Sequence, residues 1–170
     1  IDTRALTKRI RTKGSMLGRL LALQPHAPMD ENNWRQRMID VPWHDPNGEN
    51  LVARVSRKTP MLFTPQDTQP AGLREANEPT LMHASGRPIR IMALDLGMKR
   101  NQIRCFTSRG VELKVVPFDH DILSETEPYD GLFLSNGPGD PTHCMSTVER
   151  VRALISRKTD VIPVFGICLG

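Results

Sequence analysis

One feature constrains the fold of this chain more than any other. It is a cysteine that follows an apolar run and is flanked by two glycines. Residues 161–165 are apolar, as in a strand that is buried on both faces of a parallel sheet. Gly166 and Gly170 stand two residues before and two after Cys168, and this spacing permits a sharp turn from strand into helix. We therefore predict a nucleophile elbow, where the helix dipole favours a thiolate and backbone N–H groups can hold an oxyanion. The alternative is an inert core cysteine.

Strands and helices alternate through the second half of the chain. The predicted strands cover 89–95, 112–116, 131–135 and 161–165, and the predicted helices cover about 99–109 and 141–158. Asp140 followed by proline is a typical helix start. This order predicts right-handed crossovers and a doubly wound parallel α/β sheet. Binding sites in such sheets lie at the carboxyl ends of the strands, so the loops after Asp95, Ser135 and Phe165 should share one edge.

The first part of the chain has a different pattern, which we interpret as part of a small α/β domain. Its helices are predicted at 3–13, after the N-cap Asp2, and at about 30–38. Its strands are predicted at 16–23 and 50–55. The stretch that follows is rich in proline and glutamine and poor in apolar residues, which indicates an inter-domain linker. The predicted domains are therefore 1–55, the linker 56–88, and 89–170.

The second informative cluster is Asn-Gly-Pro-Gly-Asp at 136–140. Two glycines around a proline allow successive N–H groups to face one concavity beside a helix N-terminus, which suits a phosphate or an oxyanion. A tight turn capped by Asp140 explains the same residues without any ligand. A flavodoxin-like domain that binds a nucleotide or phosphate is a further alternative, but it leaves Cys168 without a role. Neighbouring strands would place this turn beside Cys168, which is the arrangement that acyl transfer through a thioester requires.

Composition argues against several other classes of protein. The net charge is +4, from 23 Lys+Arg against 19 Asp+Glu, and the basic residues are spread out, which does not favour a nucleic-acid surface. The three cysteines form no C-x-x-C pair, so we expect no metal and a reducing compartment. No membrane-spanning run or signal peptide is expected. Because the first residue is Ile, we expect the chain to be a piece of a longer protein.

Four motifs of the chain, which occur in the order typical of the family, resemble the class I glutamine amidotransferases, and in particular the glutaminase portion of carbamoyl-phosphate synthetase. The motifs are LSNGPGDP at 134–141, PVFGICLG at 163–170, DLGMKRN at 95–101 and IDTRALT at 1–7. The last of these is similar to the N-terminal domain of the small chain of that enzyme. Residues 98–106 resemble the branch that serves pyrimidine synthesis, although the arginine pathway stays open. The resemblance implies a cytoplasmic protein, or a mitochondrial one if it is arginine-specific.

This resemblance implies a mechanism and partners. Cys168 would attack the side-chain amide of L-glutamine, release ammonia and form a glutamyl thioester. The N–H groups of Gly137 and Leu169 would hold the oxyanion, and Gly137, Gly139 and Leu169 would contact the glutamine. The ammonia would pass to a synthetase large subunit or a fused synthetase domain, which uses ATP and bicarbonate. No cofactor or metal is expected in this part.

The sequence also departs from the family pattern. The family base is a histidine downstream of the nucleophile, followed two residues later by a glutamate, whereas all five histidines here precede Cys168. Among them His143 is close to the 136–140 cluster in sequence, and we expect it to face solvent. A serine that contacts glutamine in the N-terminal domain is also absent. These departures predict negligible glutamine hydrolysis by these residues alone, and they leave open a non-catalytic scaffold that docks a synthetase.

Overall fold

The computed structural model describes residues 2–14, 16–22, 30–67 and 82–170. They form two compact units, Ile1–Pro46 and Asn47–Gly170. Within these described ranges, no helix has the length and apolar character needed to cross a membrane.

The first unit contains two of the predicted helices. Helix α1 covers Thr3–Lys13 and begins at Asp2, whose carboxylate accepts the N–H of Ala5 at 2.9 Å. It ends at Gly14, which has a φ of 82° and donates its N–H to a carbonyl of the last turn. Helix α2 covers Glu31–Asp40 and begins at Asp30, which caps it in the same way. Both helices confirm the predictions. Each starts where predicted because the side-chain oxygen of its N-cap residue accepts a backbone N–H group that has no partner within the helix.

Both strands predicted in the first part of the chain are wrong. Residues 16–22 form no regular structure, and the side chain of Leu20 is 93% exposed, so this apolar run pairs with no strand among the described residues. Leu23 lies outside the described residues. The other stretch, predicted as a strand at 50–55, is helix α3, Leu51–Val55. Its N-cap is Asn50, whose side-chain oxygen accepts the N–H of Ala53 at 2.9 Å. An asparagine N-cap favours helix over strand at a short apolar run, and this start was missed.

In the second unit, the described strands form one five-stranded sheet. The strands are β1 Met61–Phe63, β2 Arg90–Asp95, β3 Glu112–Pro117, β4 Gly131–Leu134 and β5 Val164–Gly166. Their order is β1-β3-β2-β4-β5, and all pairs are parallel except β1 with β3, which is antiparallel. The four predicted strands of this unit are therefore present, and the parallel α/β sheet is confirmed.

Helices cover both faces of this sheet. Alternate residues of β2 point to opposite faces, as the pleat of a strand requires. Met92 and Leu94 belong to a cluster with Leu154 of helix α5, Met145–Ile155. Ala93 belongs to a second cluster, against which helix α4, Arg100–Thr107, packs. The fold is thus doubly wound. A short 3₁₀ turn, Pro141–Cys144, precedes α5, which ends before the predicted 158.

The strand β5 is shorter and more exposed than predicted. It begins at Val164, after Pro163, which has no N–H to donate to a ladder. It pairs only with β4 among the described strands, and Phe165 is 62% exposed. The prediction of a strand buried on both faces is therefore wrong for Phe165, whose ring stacks on Phe133 of β4 but is otherwise largely uncovered by the described residues.

The start of the predicted linker is ordered against the sheet. Strand β1 was not predicted, yet it pairs with β3 in the register Met61 with Val115. Ser56 is buried, and its hydroxyl accepts the N–H of Phe118 at 3.0 Å. Residues 68–81, most of the remaining linker, lie outside the described residues. The division into 1–55, 56–88 and 89–170 accordingly stays a prediction.

Candidate active site

Three turns meet at the carboxyl edge of the sheet. From the central strand β2 the chain passes to β3 on one side, and β4 lies on the other side, so the strand order reverses between β2 and β4. Ligands of doubly wound proteins bind in the crevice at this position. The Asp95 turn (95–98) follows β2, the Gly137 turn (136–139) follows β4, and the Cys168 elbow (166–170) includes the end of β5.

The Cys168 elbow has the sharp geometry that the glycine spacing predicts. Cys168 has a φ of 59°, a left-handed conformation that non-glycine residues rarely adopt and that is costly unless the surroundings impose it. A Cβ atom added to Gly166 would lie 2.5 Å from the carbonyl oxygen of Gly170, and one added to Gly170 would lie 2.6 Å from the Cβ of Leu134. Only glycine fits at both positions. The Cys168 thiol is free and exposed at the tip, and its chemical role stays a prediction.

The Gly137 turn packs between the other two turns. A Cβ atom added to Gly137 would overlap the carbonyl oxygen of Leu96 and would lie 3.0 Å from Cδ2 of Leu169. Within the part of the chain that the structure describes, the N–H groups of Gly137 and Leu169 donate no hydrogen bond. The structure therefore places the Leu169 side chain against the Gly137 turn and pairs neither N–H group within the described residues, and the role of these groups in holding an oxyanion stays a prediction.

Gly139 lies on the far side of the same turn. Its φ of 84° is in the left-handed region, which glycine adopts without strain. A Cβ atom there would stand 3.4 Å from the Cβ of Leu51, at the start of α3. The predicted contact of Gly139 with glutamine remains a prediction.

Asp95 organises the turn whose Leu96 carbonyl packs against Gly137, and its functional role was not predicted. The residue is 6% exposed. Its Oδ1 atom accepts the N–H groups of Gly97 at 3.0 Å and Met98 at 2.8 Å, and its Oδ2 atom accepts the N–H of Arg57 at 3.0 Å. One carboxylate thus satisfies three backbone donors and connects the segment before the sheet to the site.

Ser135 connects the Asp95 turn to the Gly137 turn. Its side chain is fully buried. The hydroxyl accepts the N–H of Leu96 at 3.0 Å and donates to the carbonyl of Asn136 at 2.9 Å. The side-chain amide of Asn136 in turn donates to the carbonyl of Gly97 at 3.2 Å. No sequence feature separated Ser135 from any other small residue at a strand end, so this role was missed.

Neither His143 nor Cys144 supplies the site with an exposed reactive group. His143 lies in the 3₁₀ turn and is half-buried, so its expected contact with solvent is partial, and its carbonyl accepts the side chain of Asn50 at 2.9 Å. Cys144 is buried between Val52 and Leu96, and burial raises the pKa of its thiol. Among the described residues, no group of three His, Cys, Asp or Glu side chains could hold a metal.

An apolar cavity of about 320 Å³ lies between the elbow and α5. Its walls include Leu134, Val148, Val151 and Leu169. Because Leu169 also contacts Gly137, this cavity borders the site.

Comparison with known proteins agrees with this geometry. A family model described as glutamine amidotransferase class-I matches residues 92–170. The whole chain is 49% identical to part of the multifunctional protein ura1 of Schizosaccharomyces pombe and 46% identical to part of the multifunctional protein pyr-3 of Neurospora crassa. It is 37% identical to part of the arginine-specific carbamoyl phosphate synthase small chain of Candida albicans. The chain spans 7%, 9% and 34% of the length of these three relatives.

Proposed function

Through residues 92–170 this chain belongs to the class I glutamine amidotransferase family, and on that premise we propose that it is part of the glutamine-hydrolysing unit of a carbamoyl-phosphate synthetase. Cys168 attacks the side-chain amide of L-glutamine, ammonia leaves, and the resulting glutamyl thioester is hydrolysed by water. The N–H groups of Gly137 and Leu169 stabilise the oxyanion of both steps, and such a donor is typically worth about 3–4 kcal/mol.

One observation carries this proposal. An exposed cysteine in a left-handed conformation follows a strand, and the residue after it contacts a glycine turn whose N–H group has no acceptor among the described residues. A nucleophile beside unpaired backbone donors is the arrangement that acyl transfer needs, whereas a phosphate-binding turn would not require the strained cysteine.

The partner and pathway follow from the relatives. We propose that the ammonia passes to a synthetase domain or large subunit, and that this partner, not the unit described here, uses ATP and bicarbonate. Identity is higher to the fungal multifunctional proteins, at 49% and 46%, than to the arginine-specific small chain, at 37%. This difference supports the pyrimidine pathway. We further propose a cytoplasmic location, or a mitochondrial one if the protein is arginine-specific.

The decisive experiment compares Cys168→Ala with Cys105→Ala in the natural full-length polypeptide that carries this chain. Cys105 is a half-buried thiol on α4 and serves as the matched control. We expect Cys168→Ala to abolish glutamine-dependent carbamoyl phosphate synthesis and to leave synthesis from added ammonia intact. A glutamine-like diazoketone should label Cys168, and glutamine should protect it. Glutamine-dependent synthesis that survives Cys168→Ala would refute the proposal, and absent labelling with intact ammonia-dependent synthesis would indicate the docking scaffold.

A further inference from the structure

We propose that Ser135 is a positioning residue that fixes the orientation of the Asn136–Gly137 peptide and thereby aims the N–H of Gly137 at the oxyanion. The inference rests on the proposed function, because it gives the Gly137 donor its purpose. Ser135 does not touch the substrate and acts only through this peptide.

The argument begins with the planarity of the peptide bond. The carbonyl of Asn136 and the N–H of Gly137 belong to one trans peptide, so they point in opposite directions. The Ser135 hydroxyl donates to that carbonyl at 2.9 Å, on the buried side of the turn. The N–H of Gly137 is therefore directed away from Ser135, and it meets no acceptor within the described residues.

Gly137 does not by itself determine the orientation of the Asn136–Gly137 peptide, so another residue has to fix it. Glycine populates positive and negative φ with similar ease, so the peptide before Gly137 can rotate without the penalty that a Cβ atom would impose. The packing of the turn requires glycine at this position, since a Cβ atom would overlap the carbonyl of Leu96. The close packing thus requires a glycine, and the glycine permits the peptide to rotate. A neighbouring group therefore has to hold the peptide in one orientation.

The hydroxyl of Ser135 is itself held in place. It accepts the N–H of Leu96 at 3.0 Å, and its one proton is then directed to the carbonyl of Asn136. Leu96 follows Asp95, whose carboxylate accepts the next two N–H groups of the turn. Ser135 is fully buried, so water has no direct access to its hydroxyl. The orientation of the oxyanion donor consequently depends on a chain of buried and part-buried hydrogen bonds that starts at Asp95.

The test uses Ser135→Ala in the natural full-length polypeptide, with Thr107→Val as the control. Thr107 is an equally buried residue whose hydroxyl also donates to a backbone carbonyl, at 3.0 Å, but on α4, away from the three turns. We expect Ser135→Ala to lower kcat for glutamine hydrolysis about 10- to 100-fold, since a misdirected oxyanion donor is partly lost. KM should change by no more than about twofold, because the bond matters in the transition state rather than in binding. Thr107→Val should leave both constants unchanged.

Two further measurements separate positioning from damage to the fold. Iodoacetamide alkylation of Cys168 needs no oxyanion donor, so its rate should be the same in wild type and Ser135→Ala. Crystal structures of both proteins should show the Asn136 carbonyl rotated, or in two orientations, in the variant only. If Ser135→Ala does not fold, Ser135→Cys keeps a weaker donor and should show the same effects in smaller measure.

The results distinguish the two proposals. An unchanged kcat together with an unchanged Asn136 carbonyl in the variant would overturn the role of Ser135 while leaving the glutaminase intact. A wild-type protein without glutamine hydrolysis would instead contradict the proposed function. The orientation of the Asn136 carbonyl in the crystal structures would then still decide the structural claim.

Discussion

Replacing Asp95 by asparagine tests how the site is held together. The carboxylate accepts three N–H groups, two at Oδ1 and one at Oδ2. The amide oxygen of asparagine can keep the first two without their charge assistance. Its NH₂ group must face the N–H of Arg57, donor against donor, which leaves a part-buried donor unsatisfied. An unsatisfied donor costs about 1–3 kcal/mol and the lost charge adds about 1 kcal/mol, so we expect a destabilisation of about 2–4 kcal/mol.

Cys144 provides a local probe of this destabilisation. It is buried in the cluster that contains Leu96, so its thiol reacts only when this part of the sheet opens. Alkylation of Cys144 should be followed by mass spectrometry at constant pH. An increase of about 30- to 700-fold in its rate corresponds to the expected 2–4 kcal/mol.

Two references make this measurement decisive. Asp119→Asn changes an exposed carboxylate of the same unit and should alter the Cys144 rate by no more than about twofold. The exposed Cys168 provides the rate of a thiol that needs no opening. If Asp95→Asn and Asp119→Asn give the same Cys144 rate, the three bonds of Asp95 contribute nothing to stability and the argument fails.

Two more substitutions probe the site and the opposite edge of the sheet. In the natural full-length polypeptide, Gly137→Ala places a methyl group on the carbonyl of Leu96, so it should cost about 1–3 kcal/mol and abolish glutamine hydrolysis. Gly48→Ala, where a Cβ meets nothing within 4 Å, should leave that activity unchanged, and equal activities of the two variants would contradict the packing argument. Asp130 forms two hydrogen bonds of 2.7 Å with the guanidinium of Arg87, and these bonds lower its pKa from 3.8 to about 2. Because the folded pKa is the lower one, this stabilisation is present above about pH 4 and is lost as the pH falls towards 2. After allowance for solvent screening, the stabilisation of the folded state by the Asp130–Arg87 pair amounts to about 1 kcal/mol. Hydrogen exchange of β2 should therefore be faster in Asp130→Asn than in wild type at pH 6 and equally fast near pH 2, and a difference that persists at pH 2 would refute the assignment.

Much of the second unit could be predicted because local patterns and tertiary structure agree there. Apolar runs of strand length, glycines at helix ends and the Asp140-Pro141 start all correspond to elements in the structure. The elbow was predictable for the same reason, since the glycine spacing around Cys168 has a direct steric meaning that the structure repeats.

The errors arose where a non-local partner decides the structure. Strand β1 is three residues long and exists because β3 offers it a free edge, which no local pattern shows. The run at 16–22 has the composition of a strand but no partner among the described residues. Asp95 and Ser135 were missed as site residues because their importance lies in which backbone groups they reach across the sheet. Sequence spacing does not encode such contacts.

Residues 47–57, which precede the sheet, limit where this domain can be joined to another protein. The match to the glutamine amidotransferase family model begins at residue 92, but the folded unit begins at Asn47 and the relatives match the whole chain. Asn50 bonds the carbonyl of His143, Ser56 bonds the N–H of Phe118, and Arg57 bonds Asp95. Recombination at residue 92 would transfer the three turns and leave behind Asn50, Ser56 and Arg57, which bond to residues of the transferred part. The transferable module is therefore longer than the part that the family model matches, and we expect natural fusions and engineered chimaeras to retain activity only when the junction precedes Asn47.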